Sequence, residues 1–120
     1  MKILIVDDAA LMRTVLRRIF ESAGFNEIVE AADGEEAVRL YRRETPDLVT
    51  MDITMPEMNG LVAIQKIIAL NPRANIIVCS ALGQKEIVLD AIKSGAKHFL
   101  VKPFEAEKVI ATAKAVMKIA

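Results

Sequence analysis

Four short apolar runs along the chain each end on polar residues. Ile3-Leu4-Ile5-Val6 gives way to Asp7-Asp8, and Leu48-Val49-Thr50-Met51 to Asp52. Ile76-Ile77-Val78-Cys79 gives way to Ser80, and Phe99-Leu100-Val101 to Lys102-Pro103. Runs this short, continuous and rich in Ile and Val suit strands buried on both faces. They predict strands near 3–7, 48–52, 76–80 and 98–102, with another near 27–31. Between them, apolar residues recur at helical spacing near 9–23, 34–44, 60–70, 84–94 and 105–118.

The helical segments carry their own punctuation. Leu11, Val15, Leu16 and Ile19 make an apolar stripe in the first, with Gly24 as its stop. Asp33-Gly34-Glu35-Glu36 has the form of a capping box with Asp33 as N-cap, and Pro46 blocks continuation beyond the second helix. Val38 and Tyr41 can face inward there. Leu61, Ile64, Ile67 and Ile68 face the sheet from the third helix, which Asn71-Pro72 ends. Val109, Ile110, Ala113, Val116 and Met117 do so from the last. Ile87-Val88-Leu89-Asp90-Ala91-Ile92 spans more arc than one core-facing stripe needs, so at least one of Ile87, Val88 and Leu89 should be partly exposed.

Strict strand–helix alternation predicts an α/β fold, a doubly wound five-stranded parallel sheet covered on both faces by five helices. Ligands of such sheets bind beyond the carboxyl ends of the strands, where the strand order reverses. Those ends carry Asp7, Asp8, Asp52, Ser80 and Lys102. Three carboxylates about 5 Å apart repel by about 3 kcal/mol per pair at an effective dielectric near 20. A hard divalent cation such as Mg²⁺ relieves that repulsion through carboxylate, carbonyl and water oxygens. Lys102 adds a compact positive charge and Ser80 a hydroxyl donor. An aspartate can also serve as a nucleophile and form an aspartyl phosphate.

Composition narrows the classes. With 120 residues, 53% apolar, the chain fits one domain over 1–120 with a substantial core. Sixteen basic residues balance sixteen acidic ones, leaving no excess to bind nucleic acid or an anionic membrane. The single cysteine, Cys79, can form no internal disulfide and reads as a small core hydrophobe, which fits a cytoplasmic setting. Asp7-Asp8 interrupts the N-terminal apolar run too early for a signal peptide, and no run approaches the ~18 residues of a membrane span. His98 reads as a strand-surface residue, and Arg17-Arg18 and Arg42-Arg43 as solvated helix faces.

The motifs Val6-Asp7-Asp8, Met51-Asp52-Ile53-Thr54-Met55-Pro56-Glu57-Met58-Asn59-Gly60, Ser80-Ala81 and Val101-Lys102-Pro103-Phe104 resemble, in this order and spacing, those of response-regulator receiver domains. The chain is similar in particular to the stand-alone chemotaxis members. The resemblance covers the whole chain. It implies a flavodoxin-like sheet of order 2-1-3-4-5 and a cis Lys102-Pro103 bond. It implies that Asp52 accepts the phosphoryl group from a sensor histidine kinase in a Mg²⁺-dependent reaction. Asp7, Asp8, Asp52 and the Thr54 carbonyl are then the metal ligands, with Asp7 acting mainly through water. Ser80 and Lys102 contact the phosphate, and Phe99 is the switch aromatic coupled to Ser80. Such a protein catalyses only its own phosphorylation and dephosphorylation. It signals as a monomer through its fourth helix, fifth strand and fifth helix, most directly to the flagellar motor switch. Thr54 and Leu82 occupy the positions that tune phosphate loss, and Leu82 has no group to orient water. Slow self-dephosphorylation and a separate phosphatase are therefore expected.

Alternatives remain. A phosphorelay intermediate would share every motif. An aspartate-nucleophile phosphatase would need a second Asp where Thr54 stands, together with a cap domain. A flavodoxin would need a Ser/Thr/Gly-rich phosphate loop after the first strand and aromatics to stack on a flavin; the chain has no Trp and one Tyr.

Overall fold

The structure, a computed structural model, describes residues 1–53, 55 and 60–120. Strands and helices alternate throughout. They run β1 (Lys2–Val6), α1 (Ala10–Ser22), β2 (Glu27–Ala31), α2 (Gly34–Glu44), β3 (Leu48–Asp52) and α3 (Gly60–Leu70). β4 (Ile76–Ser80), α4 (Lys85–Lys93), β5 (His98–Val101) and α5 (Ala106–Met117) complete the series. The strands pair in parallel in the order β2-β1-β3-β4-β5. Every element lies within two residues of its expected span, and the Lys102-Pro103 bond is cis.

The central strands account for that agreement. From Ile3 to Val6, and throughout β3 and β4, every residue is buried, so both faces must be apolar and the run is continuous. Alternate side chains feed two cores. Ile3 and Ile5 pack with Leu16 and Phe20 of α1 and Val109 and Ala113 of α5. Leu4 and Val6 pack with Leu40 of α2, Ile64 and Ile67 of α3 and Ala91 of α4. Helices thus cover both faces.

Local signals hold in detail, with one correction. Asp33 Oδ1 accepts from the Glu36 N–H at 2.7 Å, and Glu36 Oε1 accepts from the Ala32 N–H at 2.7 Å. The capping box therefore forms with its return bond one residue early. Gly24 takes φ +90° after α1, a left-handed value that favours glycine. The stripe on α1 is shifted from expectation: Leu16 and Phe20 are buried, Val15 and Ile19 are half-buried, and Leu11 is 70% exposed. Leu11 lies in the first turn, where α1 starts beyond the end of β1, so it is not drawn onto the sheet. On α4, Val88 is buried while Ile87, Leu89 and Ile92 are partly exposed, as the wide apolar arc requires.

Thr50 is the exception within β3. It is fully buried between Ile5 and Ile77, and its Oγ1 has no hydrogen-bond partner among the described residues. An orphaned buried hydroxyl costs about 1–3 kcal/mol. Thr50→Val should therefore stabilise the fold by about 1 kcal/mol. That gain reads as a higher urea midpoint at unchanged slope; a lower midpoint would refute it.

Candidate functional site

The strand order reverses between β1 and β3: the chain leaves β1 for β2 on one side and β3 for β4 on the other. Asp7 and Asp8 follow β1, and Asp52 ends β3. Val6 is paired with Met51, so the two acidic ends stand side by side. One carboxylate oxygen from each of Asp7, Asp8 and Asp52 lies within 4.8 Å of the others. Asp7 and Asp52 are 1% and 2% exposed, whereas Asp8 faces solvent.

Asp7 is held from several directions. Its N–H donates to the Ala31 carbonyl at 3.1 Å, and its Oδ1 accepts from the Ala9 N–H at 2.9 Å. Lys102 Nζ donates to Asp7 Oδ2 at 3.0 Å and lies 3.7 Å from Asp52 Oδ2. Burial alone would lower the Lys102 pKa; the hydrogen bond to Asp7 and the charges of Asp52 and Asp7 outweigh it, so the pKa is raised. Lys102 therefore contributes its full stabilisation below the ordinary lysine range, and loses it only as pH rises through the raised value. The Lys102 N–H donates to the Ser80 carbonyl at 2.8 Å, which ties β5 to the end of β4.

Ser80 is buried at the end of β4, and Phe99 on β5 is 42% exposed. Both line a cleft of about 270 Å³ with Leu82, Val88, Leu89 and Val101. The Phe99 ring lies 5.6 Å from that of His98, whose Nδ1 accepts from the Phe99 N–H at 2.8 Å. His98 is exposed and Cys79 buried, as read from sequence. Thr54, the expected carbonyl ligand, lies outside the described residues.

Two features escaped the sequence. An ideal Cβ on Gly60 would run into the Asp52 carbonyl oxygen and lie 2.6 Å from Ile53 Cα. The first residue of α3 is therefore pressed against the backbone that carries Asp52. Arg17 is also no solvated face: its Nε donates to Glu30 Oε2 at 2.6 Å, while Arg13 Nε donates to Glu30 Oε1 at 3.0 Å. Burial would raise the Glu30 pKa, but the Arg17 and Arg13 hydrogen bonds prevail and hold it below the ordinary carboxylate value. That contribution is present above the ordinary value and lost as pH falls through the depressed one. The spacing of Arg13 and Arg17, four apart on one helix face, was the available signal.

The donor set fits a hard divalent cation. It comprises oxygen ligands from two strand ends, two of them buried, with more negative charge than Lys102 alone neutralises. Among the described residues no helix is long and apolar enough to cross a membrane.

Comparison with known proteins agrees with this edge. The family model of the response regulator receiver domain matches residues 3–114. The chain is 53% identical over 117 residues to the chemotaxis protein CheY of Thermotoga maritima, covering 98% of each. It is 52% identical over 109 residues to the chemotaxis protein CheY of Bacillus subtilis, covering 91% of each. A chain of the CheX–CheY–BeF3–Mg²⁺ complex from Borrelia burgdorferi superposes with a TM-score of 0.90 at 44% identity. That match covers 96% of this chain and 87% of that one. The receiver domain of NtrX from Brucella abortus superposes at 0.92 with 29% identity, over 99% of this chain and 100% of that one. With its fold, its acidic edge and about half its positions shared with chemotaxis receivers, the chain belongs to the response regulator receiver family, in its chemotaxis branch.

Proposed function

We propose that Asp52 accepts a phosphoryl group from a phosphohistidine of a sensor kinase, and that the modified protein signals by protein–protein contact in chemotaxis. The observation that carries this reading is a buried carboxylate at the topological switch point, grouped with two further carboxylates and 3.7 Å from an ammonium. A carboxylate oxygen of Asp52 attacks phosphorus, and the P–N bond of the donor breaks with its electron pair on the imidazole. No base is required, because the nucleophile is already deprotonated. Asp7, Asp8 and Asp52 would hold Mg²⁺, which when bound neutralises charge on the transferring group. Lys102 is placed to exchange a carboxylate partner for phosphate oxygens, and the Ser80 hydroxyl to donate one more bond.

The apolar surface supports the output route. Leu82, Ile87, Leu89, Ile92 and Phe99 are all at least 37% exposed along α4 and its flanking segments. The cleft between Ser80 and Phe99 gives a path by which a moved hydroxyl changes the room available to the ring, biasing a two-state surface. The flagellar motor switch is the output partner we favour. Leu82, 83% exposed and without a hydrogen-bonding group, supports slow phosphate loss and a dedicated phosphatase.

Mg²⁺ should stabilise the unmodified protein, because it relieves repulsion present only in the folded cluster. Thermal unfolding with Mg²⁺ at tenfold its dissociation constant should show about 1.4 kcal/mol of added stability. Asp8→Ala should abolish the gain. An unchanged midpoint for wild type in millimolar Mg²⁺ would remove the metal from the reading.

A further inference from the structure

The backbone carbonyl of Asp7 accepts from Arg13 Nη1 at 2.7 Å, one of the shorter hydrogen bonds in the chain. The same guanidinium is fixed on its other side by Glu30 on β2, and Glu30 is gripped in turn by Arg17. Arg17 Nη2 also reaches the Ile28 carbonyl at 3.4 Å. The Arg13 and Glu30 side chains are 18% and 28% exposed, so this chain of bonds is partly sheltered from water. It runs from the edge strand, across α1, to the residue whose carboxylate lies in the acidic trio.

We propose that Arg13 is a positioning residue: oriented by Glu30, it clamps the Asp7 main chain and so sets the cation affinity of the Asp7–Asp8–Asp52 group. The inference rests on the magnesium reading above. Lys102 and the Ala9 N–H hold the Asp7 carboxylate and the Ala31 carbonyl holds its N–H, whereas Arg13 holds its backbone carbonyl. Residues that orient metal ligands from behind are typically worth 10–100-fold in affinity.

Charge and position predict opposite outcomes, which makes the test sharp. Removing a cation beside an acidic cluster should by Coulomb's law alone tighten Mg²⁺ binding. Removing a clamp should weaken it. The probe is Mg²⁺ alone, titrated calorimetrically into metal-free protein well below its melting temperature. Arg13→Ala should bind about 10-fold more weakly than wild type. Arg13→Lys keeps the charge but cannot fork between Asp7 and Glu30, so it should fall between the two. Glu30→Ala should also weaken binding in the wild-type background, yet change nothing further once Arg13 is alanine, because it acts through Arg13. Arg17→Ala, which never touches Asp7, should stay within about twofold of wild type.

Equal or tighter binding by Arg13→Ala overturns the proposal, as do additive losses for Arg13 and Glu30. If Arg13→Ala does not fold, Arg13→Lys and the Glu30 comparison in the Lys background decide the matter in the same way. Absence of any Mg²⁺ binding by wild type would instead overturn the underlying metal reading, and this inference with it.

Discussion

Asp52→Asn is expected to eliminate phosphoryl acceptance altogether. Incubated with acetyl phosphate and Mg²⁺, wild type should gain one phosphoryl mass and the variant none. The exchange is nearly isosteric, so the β3 end and its pairing with Cys79 should persist. What changes is the chemistry: an amide oxygen is a poor nucleophile, and the anionic charge that helps hold a cation is gone. Asp7 and Asp8 remain as possible acceptors, so the experiment also asks whether position matters beyond chemistry. Asp7 Oδ1 and Oδ2 are already engaged by the Ala9 N–H and by Lys102, and Asp8 is exposed to water. A stable phosphate on the Asn variant would reassign the acceptor.

Gly60→Ala should disturb the structure more than the same change at Gly24, Gly83 or Gly95, because only its new carbon would meet backbone atoms. The new carbon would run into the Asp52 carbonyl oxygen and meet the Asp52 carbonyl carbon at 2.8 Å and Ile53 Cα at 2.6 Å. All three are backbone atoms, so no rotamer change relieves the clash. Either α3 or the end of β3 must move. Overpacking of this kind costs about 3 kcal/mol, a fall in Tm on the order of 10 °C for a domain of this size. Because Asp52 sits on the displaced backbone, the surviving folded protein should also phosphorylate more slowly. Gly24→Ala is the comparison: its Cβ would meet nothing within 4 Å, and only its φ of +90° resists the change. That variant should lose about 1–2 kcal/mol and leave the phosphorylation rate alone. Equal melting temperatures for Gly60→Ala and wild type would show that the contact is easily relieved.

How far the sequence carried the reading depended on what kind of contact each feature makes. Strand positions were legible because β1, β3 and β4 are buried on both faces and so appear as unbroken apolar runs. The site was legible because parallel strands deliver their carboxyl ends to one edge, which turns sequence neighbours of strands into spatial neighbours of each other. The exposed part of α4 was legible from an apolar arc too wide for one core. Leu11 was misplaced because helical periodicity says which face a residue shares, not whether the sheet extends beneath that turn. Arg13 and Gly60 were missed for a common reason: their partners are main-chain carbonyls of Asp7 and Asp52, and no side-chain pattern encodes a backbone acceptor or a close backbone approach.

The buried thiol has a practical consequence. Cys79 lies in the middle of the sheet, and burial drives its pKa far above the ordinary range, only partly opposed by Lys102. It is therefore a silent thiol toward alkylating dyes in the folded state. Since the chain also has no tryptophan, its native form is a blank background for thiol labelling and for tryptophan fluorescence. A cysteine introduced at exposed Leu89, or a tryptophan at Phe99, would be the only reporter of its kind, and movements of the α4 and β5 surface could be followed without first stripping the protein of competing signals.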